Sequence, residues 1–245
     1  MLAAVILLPV DARAGQRLLS PGDVDALTSK PADVRLPYGP GPAQFGDLRL
    51  PKGNGPFPLA IVIHGGCFVS KIATLQNSAA MADALRDAGL ATWNIEYRGI
   101  DVAGGGWPGT YLDVGAASDH VRVLSDKYPI DRSRVISVGH SAGAVLALWL
   151  AGRGRMATDS PLYVRDPIRL AGAVALGTDG DLPPIGPTLM RLCGSNAADV
   201  FFESPANASR LAQPTPHTCF RAEHRNFSSA ALSIRSNHRS RKRPT

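Results

Sequence analysis

The sequence predicts an α/β fold with a mostly parallel central sheet flanked by helices. Two apolar runs rich in β-branched residues, 58–63 and 134–138, predict strands that are buried on both faces. Segments with apolar residues at helical spacing separate the predicted strands, and strands that alternate with helices favour parallel pairing. A chain of 245 residues is long enough for one domain of this class around a single core.

The first half of the chain shows this alternation after an initial hairpin. Residues 33–38 and 45–50 alternate in polarity around a turn rich in glycine and proline, which predicts a hairpin at the edge of the sheet. After the strand at 58–63, apolar spacing over 81–88 predicts a helix that Gly89 terminates. The next segment, 91–97, predicts another strand.

The second half continues the same order. A helix is predicted to begin at the Trp-Pro-Gly sequence of residues 107–109 and to end at about Lys127. The strand at 134–138 is followed by a predicted buried helix over 144–151. The apolar run 170–176 then predicts one more buried strand.

A pentapeptide with the sequence Gly-His-Ser-Ala-Gly, residues 139–143, joins the strand at 134–138 to the helix at 144–151. In this setting a Gly-x-Ser-x-Gly motif places the serine on a strained turn, where its hydroxyl stands clear of the backbone. Glycine is needed at both ends because a Cβ would clash with the neighbouring strand or helix. Ser141 is therefore a candidate nucleophile, and a serine that only caps the helix is the alternative.

A second motif, His-Gly-Gly-Cys-Phe over residues 64–68, follows the strand at 58–63. Two adjacent glycines let the backbone approach a neighbour closely. They can direct successive N–H groups into one small volume, which is what the oxyanion of an acyl-transfer reaction requires. An ordinary glycine-rich turn after a strand is the alternative.

With these two motifs in this order, the chain resembles the α/β-hydrolase superfamily from about residue 33 to about residue 208. The similarity is to small esterases and lipases with a His-Gly-Gly oxyanion loop, including kynurenine-formamidase-like enzymes. It implies that Ser141 is the nucleophile. It also implies an oxyanion hole made by the N–H of Ala142 with one or two of those of Gly65, Gly66 and Cys67. No metal and no organic cofactor are implied, because the triad mechanism needs neither.

The resemblance assigns supporting roles to three further residues. His64 is expected to orient the oxyanion turn rather than to take the proton of the serine. Asp113, which follows a Gly-Trp-Pro-Gly sequence, is expected to be a structural acid. His140 precedes the nucleophile, and adjacent side chains leave a strand on opposite faces, so it is expected to pack behind the site.

The resemblance ends where the mechanism needs an acid and a histidine. In the superfamily both follow the nucleophile, after the last two strands, yet no run beyond residue 176 resembles either strand. The sequence therefore predicts an α/β-hydrolase domain that lacks its last two strands, with a divergent, lost or frame-shifted C-terminal part. Asp179 is left as a candidate acid and His224 as a candidate base. His217 and His238, like His224, have the surroundings of a solvated tail.

Composition divides the chain into three parts. The last 25 residues carry seven basic side chains and one acidic, which accounts for the formal net charge of +6. We expect a basic, disordered tail over 211–245, a hydrolase domain over 31–210 and an N-terminal segment over 1–30. A solvated tail is favoured over a patch that binds nucleic acid or a membrane, and no segment is long and apolar enough to predict a transmembrane helix.

The N-terminal residues bear on the compartment, and the cysteines do not decide it. The apolar run 2–10 precedes an Ala-Arg-Ala sequence typical of signal-peptide cleavage, but it lacks the usual basic residues before it. The location therefore stays open between export and the cytoplasm. Cys67, Cys193 and Cys219 have no metal-binding spacing and suggest no disulfide framework.

Three functions fit these observations. The first is a serine hydrolase that acts on a small ester or amide through an acyl-Ser141 intermediate. The second is an impaired relative that keeps a ligand pocket, and the third is an interaction protein with a basic tail on the same scaffold. A sheet that ends early also predicts self-association through its exposed edge.

Overall fold

The computed structural model describes residues 21–177 and Cys193. Six strands occur in this part of the chain: β1 Val34–Pro37, β2 Phe45–Arg49, β3 Phe57–Ile63, β4 Ala91–Ile95, β5 Ile130–His140 and β6 Gly172–Leu176. The α-helices are α1 Pro21–Asp25, α2 Ala79–Asp87, α3 Gly109–Asp119, α4 Val121–Lys127 and α5 Ala142–Gly152. Short 3₁₀ helices cover Leu75–Ser78 and Arg153–Arg155.

The strands form one mixed, mostly parallel sheet in the order β1-β2-β4-β3-β5-β6. The predicted hairpin, β1 and β2, is antiparallel and lies at one edge, and β2 pairs antiparallel with β4. The pairs β3–β4, β3–β5 and β5–β6 are parallel. The sequence therefore predicted the class of fold and the hairpin at one edge of the sheet.

The core lies between the sheet and the helices packed on it. Helix α5 is apolar on all sides and most of its residues are buried, which suits a helix enclosed by other elements. The side chain of Trp93 on β4 is fully buried and donates a hydrogen bond to the carbonyl of Ala117 on α3, at 3.0 Å. That bond satisfies the polar atom of the indole inside the core.

One prediction about the helices was wrong in detail. The helix expected from residue 107 to 127 is two helices, α3 and α4, which meet at His120. His120 keeps helical dihedral angles, with φ −62° and ψ −17°, but the regular pattern is interrupted there. The ring of His120 stacks on Trp93 with centroids 5.8 Å apart, so this junction is fixed against the core.

The parallel arrangement brings the carboxyl ends of four strands to the same end of the sheet. The carboxyl ends of β4, β3, β5 and β6 lie side by side, and the segments that follow them begin at Glu96, His64, Ser141 and Gly177. Open α/β sheets bind ligands at this edge. Both sequence motifs therefore lie where a site is expected.

Several predictions lie outside the described residues. These are the signal-like run at 2–10, the basic tail over 211–245 and the absence of two further strands, so all three stay predictions. Within the described part, β6 ends the sheet. None of the helices described there is long and apolar enough to cross a membrane.

Candidate active site

Ser141 lies on the turn between β5 and α5. Its backbone has φ 53° and ψ −119°, a conformation that residues with a side chain rarely adopt. The N–H of Ser141 donates to the carbonyl of Leu176 at 2.8 Å, and its carbonyl accepts from the N–H of Ala144 at 3.0 Å. The neighbouring strand and the first turn of α5 thus hold the serine in the strained position that the motif predicted.

The two glycines of the pentapeptide are required by close backbone contacts. A Cβ on Gly139 would overlap the carbonyl of Gly143, at the start of α5. A Cβ on Gly143 would overlap the carbonyl oxygens of Ile63 and His64, at the end of β3. The helix can therefore approach both strands only because these positions carry no side chain.

The loop after β3, residues 64–71, contains three successive residues with positive φ. The values are 96° for Gly66, 58° for Cys67 and 60° for Phe68. The N–H of Val69 donates to the carbonyl of Gly66 at 2.8 Å and closes the turn. Three successive positive φ values therefore fold this segment into a tight turn that residues with a side chain rarely adopt.

This loop, which we call the oxyanion loop after its predicted role, contacts the serine turn directly. A Cβ on Gly65 would lie 2.9 Å from the carbonyl oxygen of His140 and 3.3 Å from the Cβ of Ser141. A side chain at position 65 would therefore push the two segments apart. Glycine is needed here for close approach rather than for a positive φ.

The N–H groups predicted to form the oxyanion hole are uncommitted. Within the described part of the chain, no hydrogen bond uses the N–H of Gly65, Gly66 or Cys67. Ala142 is the first residue of α5, where an N–H has no acceptor within the helix. Gly65 and Ala142 are buried, and buried N–H groups normally have a partner, so free donors beside Ser141 indicate room for an anionic oxygen.

His64 is part of a buried network that supports the loop. Its side chain is 2% exposed; Nδ1 lies 2.8 Å from the carbonyl oxygen of Gly65, and Nε2 lies 2.8 Å from a carboxylate oxygen of Glu96. The ring also stacks on Tyr97, with centroids 4.3 Å apart. Both ring nitrogens are occupied, so His64 has no free nitrogen for the proton of Ser141.

Glu96 is a buried carboxylate that sequence reasoning missed. It accepts hydrogen bonds from the N–H groups of Leu75 and Tyr97, at 2.9 and 3.0 Å, in addition to its contact with His64. Burial raises the pKa of this carboxyl. The hydrogen bond and charge of His64 and the two backbone donors lower it by more, so the pKa lies below its ordinary value. An acidic residue inside an otherwise buried strand run was the only signal in the sequence.

The segment after β4 holds the rest of the oxyanion loop. The N–H of Ile100 donates to the carbonyl of Phe68 at 2.7 Å. The carboxylate of Asp101 accepts from the N–H groups of Ser70 and Lys71 at 2.7 and 3.1 Å, and the hydroxyl of Tyr97 donates to the carbonyl of His64 at 2.8 Å. Residues 96–101 therefore fix both ends of the loop from the β4 side.

Asp113 has the surroundings of a structural acid. It is 1% exposed and receives Nε and Nη2 of Arg98, each at 2.7 Å, together with the side-chain amide of Gln44 at 2.7 Å. The backbone N–H of Arg98 adds a further bond at 3.1 Å. Its carboxylate is thus engaged with Arg98 and Gln44.

The expectation that His140 packs behind the site was wrong. Its side chain is exposed at the end of β5, on the same edge as Ser141. A Cβ on Gly65 would lie 3.3 Å from its Nδ1, and one on Gly177 would lie 3.5 Å from its Nε2. Because both neighbours are glycines, neither has a side chain that could cover the imidazole.

The spacing of the cysteines suggested no disulfide framework, and the structure contains a disulfide bond. Cys67, in the oxyanion loop, forms a disulfide bond with Cys193, and their Cα atoms are 5.9 Å apart. The partners are 126 residues apart in the sequence, so only the fold brings them within the distance that a disulfide requires.

The candidate acid and base cannot be placed. Asp179 and His224 lie outside the described residues, as do His217 and His238. Among residues 21–177, no side chain forms a hydrogen bond with the hydroxyl of Ser141. The same range contains no cluster of side chains that could hold a metal ion.

Comparisons with known proteins agree with this fold. The family model BD-FAE matches residues 47–165. Among curated proteins, no relative matches the sequence. The solved structures similar to this chain include a truncated form of a carbohydrate esterase from gut microbiota, with 24% identity and a TM-score of 0.50. They also include a bifunctional GH43-CE protein of Bacteroides eggerthii (22%, 0.57) and an acetyl ester-xyloside bifunctional hydrolase from Caldicellulosiruptor lactoaceticus (20%, 0.53).

The extent of these matches defines what they establish. They cover 58%, 77% and 77% of this chain, and 57%, 29% and 70% of the respective proteins. The chain thus spans little more than half of the gut carbohydrate esterase and under a third of the GH43-CE protein. At these identities the similarity establishes architecture: the chain has the α/β-hydrolase fold.

Proposed function

We propose that this protein is a serine hydrolase that cleaves a small ester or amide through an acyl-Ser141 intermediate. One observation carries the proposal: a strained serine at the strand-to-helix turn lies beside a loop with three N–H groups, those of Gly65, Gly66 and Cys67, that donate to no acceptor in the described part of the chain. This is the arrangement that acyl transfer needs, because nucleophile and donors must reach one carbonyl group. The family match over residues 47–165 supports an esterase.

The chemistry follows from these positions. The hydroxyl oxygen of Ser141 attacks the carbonyl carbon of the substrate, and the negative charge that develops on the carbonyl oxygen is stabilised by backbone N–H groups. The tetrahedral intermediate collapses as the alcohol or amine leaves, and water then hydrolyses the acyl-serine. The helix dipole at the start of α5 points its positive end toward the same oxygen.

The proton of the serine needs an acceptor. His64 is fully engaged with Gly65 and Glu96, and neither His120 nor His140 is hydrogen-bonded to the Ser141 hydroxyl within the described residues. We therefore propose weak activity in which solvent water takes the proton of the serine and protonates the leaving group, while the oxyanion hole and substrate binding supply most of the rate. Such residual catalysis is roughly 10³ to 10⁴ over water, and an intact triad would add several orders of magnitude.

An activated aryl ester such as p-nitrophenyl acetate tests the proposal. We expect slow hydrolysis that Ser141→Ala abolishes, and that Ser133→Ala, a change at an exposed serine of β5, leaves intact. His224→Ala should have little effect. Activity unchanged by Ser141→Ala would refute the proposal, whereas strong turnover lost with His224, His217 or His238 would show that the C-terminal part supplies a base.

A ligand-binding protein without catalysis is the second candidate. It is favoured by one observation: no described histidine is hydrogen-bonded to Ser141. A fluorophosphonate probe distinguishes the two, because only a serine that acts as a nucleophile forms the covalent adduct. Mass spectrometry that finds the adduct on Ser141 would support the hydrolase, and reversible binding alone would support the second candidate.

The choice between ester and amide substrates rests on the resemblance to kynurenine-formamidase-like enzymes. We propose that the protein hydrolyses an N-formylated arylamine in addition to an aryl acetate of similar size. Comparing kcat/KM for the two substrates with the same preparation measures this preference. A rate only for the acetate would exclude the formamidase character and leave the esterase.

A further inference from the structure

Segments on both sides of β3 hold the oxyanion loop. The loop follows β3, and hydrogen bonds from residues 96–101, after β4, hold it on one side. On the other side of β3 lie β5, which carries Ser141, and then β6. Cys193 follows β6 in the chain and is bonded covalently to Cys67. The disulfide therefore joins segments that leave the sheet on either side of the serine turn.

The disulfide acts at a residue of the loop that no hydrogen bond of the described chain joins to another element. The hydrogen bonds from 96–101 reach the ends of the loop, at His64, Phe68 and the residues after it. Within the described residues no hydrogen bond joins Cys67 to another element. Its disulfide with Cys193 thus joins Cys67 to a segment 126 residues away in the sequence.

The conformation at Cys67 needs such a tie. Cys67 and Phe68 are consecutive non-glycine residues with φ of 58° and 60°. Residues with a Cβ occupy this region rarely, and they stay there only when their surroundings determine the conformation. A loop released from Cys193 can rotate back to negative φ, and that rotation turns the N–H groups of Gly66 and Cys67 away from the substrate oxygen.

We propose that Cys193 is a positioning residue of the oxyanion hole, and that its disulfide with Cys67 makes the hydrolase dependent on the redox state. The inference rests on the proposed function of Ser141. Reduction by a small dithiol breaks the bond between the two sulfur atoms. Each cysteine sulfur gains one electron and one proton, and the dithiol becomes a cyclic disulfide. The bond persists in oxidising compartments and is lost in a reducing cytosol.

The expected effect is on kcat rather than on KM. Oxyanion donors act on charge that is present in the transition state, so their loss lowers kcat with little change in ground-state binding. Removing one donor typically costs about 10² to 10³ in kcat, and partial misalignment of two donors should cost at least about tenfold. The loss should reverse when the thiols are reoxidised.

The experiment compares the oxidised and the dithiothreitol-reduced full-length protein with p-nitrophenyl acetate, after gel filtration has removed the reductant. Thiol titration under denaturing conditions should find one thiol before reduction, that of Cys219, and three after it. Cys193→Ser should reproduce the reduced kcat and abolish the response to dithiothreitol. Cys219→Ser is the matched control and should respond as the unaltered protein does.

The outcomes separate this inference from the proposed function. If the oxidised protein has no Ser141-dependent hydrolysis, the proposed function fails and the inference with it. If hydrolysis depends on Ser141 but kcat is equal before and after reduction to three thiols, only the inference is overturned. Near-UV circular dichroism and a thermal melt accompany each assay. A fall in kcat that matches the unfolded fraction of the protein would mean that the disulfide stabilises the whole fold rather than the oxyanion loop. That result would also overturn the inference.

Discussion

Replacing Gly143 by alanine tests whether the serine turn is set by close packing of α5 on β3. In an isolated helix this change is favourable by about 0.8 to 1 kcal/mol, so helix propensity alone predicts a more stable protein. In the fold, the new Cβ would lie 2.8 Å from the carbonyl carbon of His64 and would overlap the carbonyl oxygens of Ile63 and His64. The structure therefore predicts the opposite sign.

The magnitude follows from the overlap. Carbon atoms in contact lie about 3.5 to 4.0 Å apart, so α5 must retreat from β3 by about 1 Å at Gly143. Overpacking of this kind costs about 1 to 3 kcal/mol, occasionally more. The obstacles are backbone atoms at the end of β3 and cannot rotate away, so the upper part of that range applies. After the helix gain is subtracted, we expect Gly143→Ala to lower the free energy of unfolding by about 2 kcal/mol.

Urea titration and thermal denaturation measure the effect. For a domain of this size about 2 kcal/mol corresponds to a fall in Tm of roughly 4 to 8 °C. Gly154→Ala is the control, because its Cβ would meet only Cγ of Pro167, at 4.0 Å, and should change stability by no more than about 0.5 kcal/mol. The retreat of α5 should also lower Ser141-dependent hydrolysis. A Gly143→Ala protein as stable and as active as the unaltered one would refute this account of the turn.

Three further predictions concern strain, pH and the edge of the sheet. Ser141→Gly should raise the free energy of unfolding by about 1 kcal/mol over Ser141→Ala, because glycine accepts a φ of 53° without strain; equal urea midpoints for these two inactive variants would contradict this. Glu96 has a folded pKa below its ordinary 4.5, so its stabilisation is complete above about pH 4.5 and is lost as the pH falls through the folded value. Between pH 5.5 and pH 3.5 the free energy of unfolding of Glu96→Gln should accordingly fall less than that of the unaltered protein. Urea titrations that find the same fall for both proteins would argue against that assignment. Val174, which is 42% exposed on β6, should promote self-association at the end of the described sheet, and Val174→Lys should reduce the mass seen by light scattering; a monodisperse monomer before the change would rule this out.

The sequence predicted much of the fold because its signals are local. Each strand run from 58 to 176 carries its own apolar pattern, and the Gly-His-Ser-Ala-Gly sequence encodes the turn at Ser141 by itself. The helix break at His120 was missed because apolar spacing continues through it. The exposure of His140 was missed because it depends on glycines that are distant in sequence, Gly65 and Gly177.

The contacts that hold the oxyanion loop show the same contrast between local sequence signals and long-range contacts. Sequence motifs identify the residues that would touch the substrate, since nucleophile and donors each lie in a short pattern with a fixed geometry. The groups that hold them come from other strands: Glu96 from the end of β4, and Cys193 from beyond β6. No local sequence pattern predicts these partners. A hydrogen bond between residues 32 apart, or a disulfide between residues 126 apart, depends on the tertiary fold that brings them together.

The amino-acid sequence by itself determined the class of fold, the order of the strands along the chain and the candidate nucleophile with its facing loop. Those properties follow from the period of apolar residues and from glycine at fixed offsets, which act within about ten residues. Only the tertiary structure decided which N–H groups stay free, which carboxylate pairs with His64 and which cysteine is tied to Cys67. Those depend on parallel strands that bring distant segments to the same edge, where packing rather than local preference selects the partner.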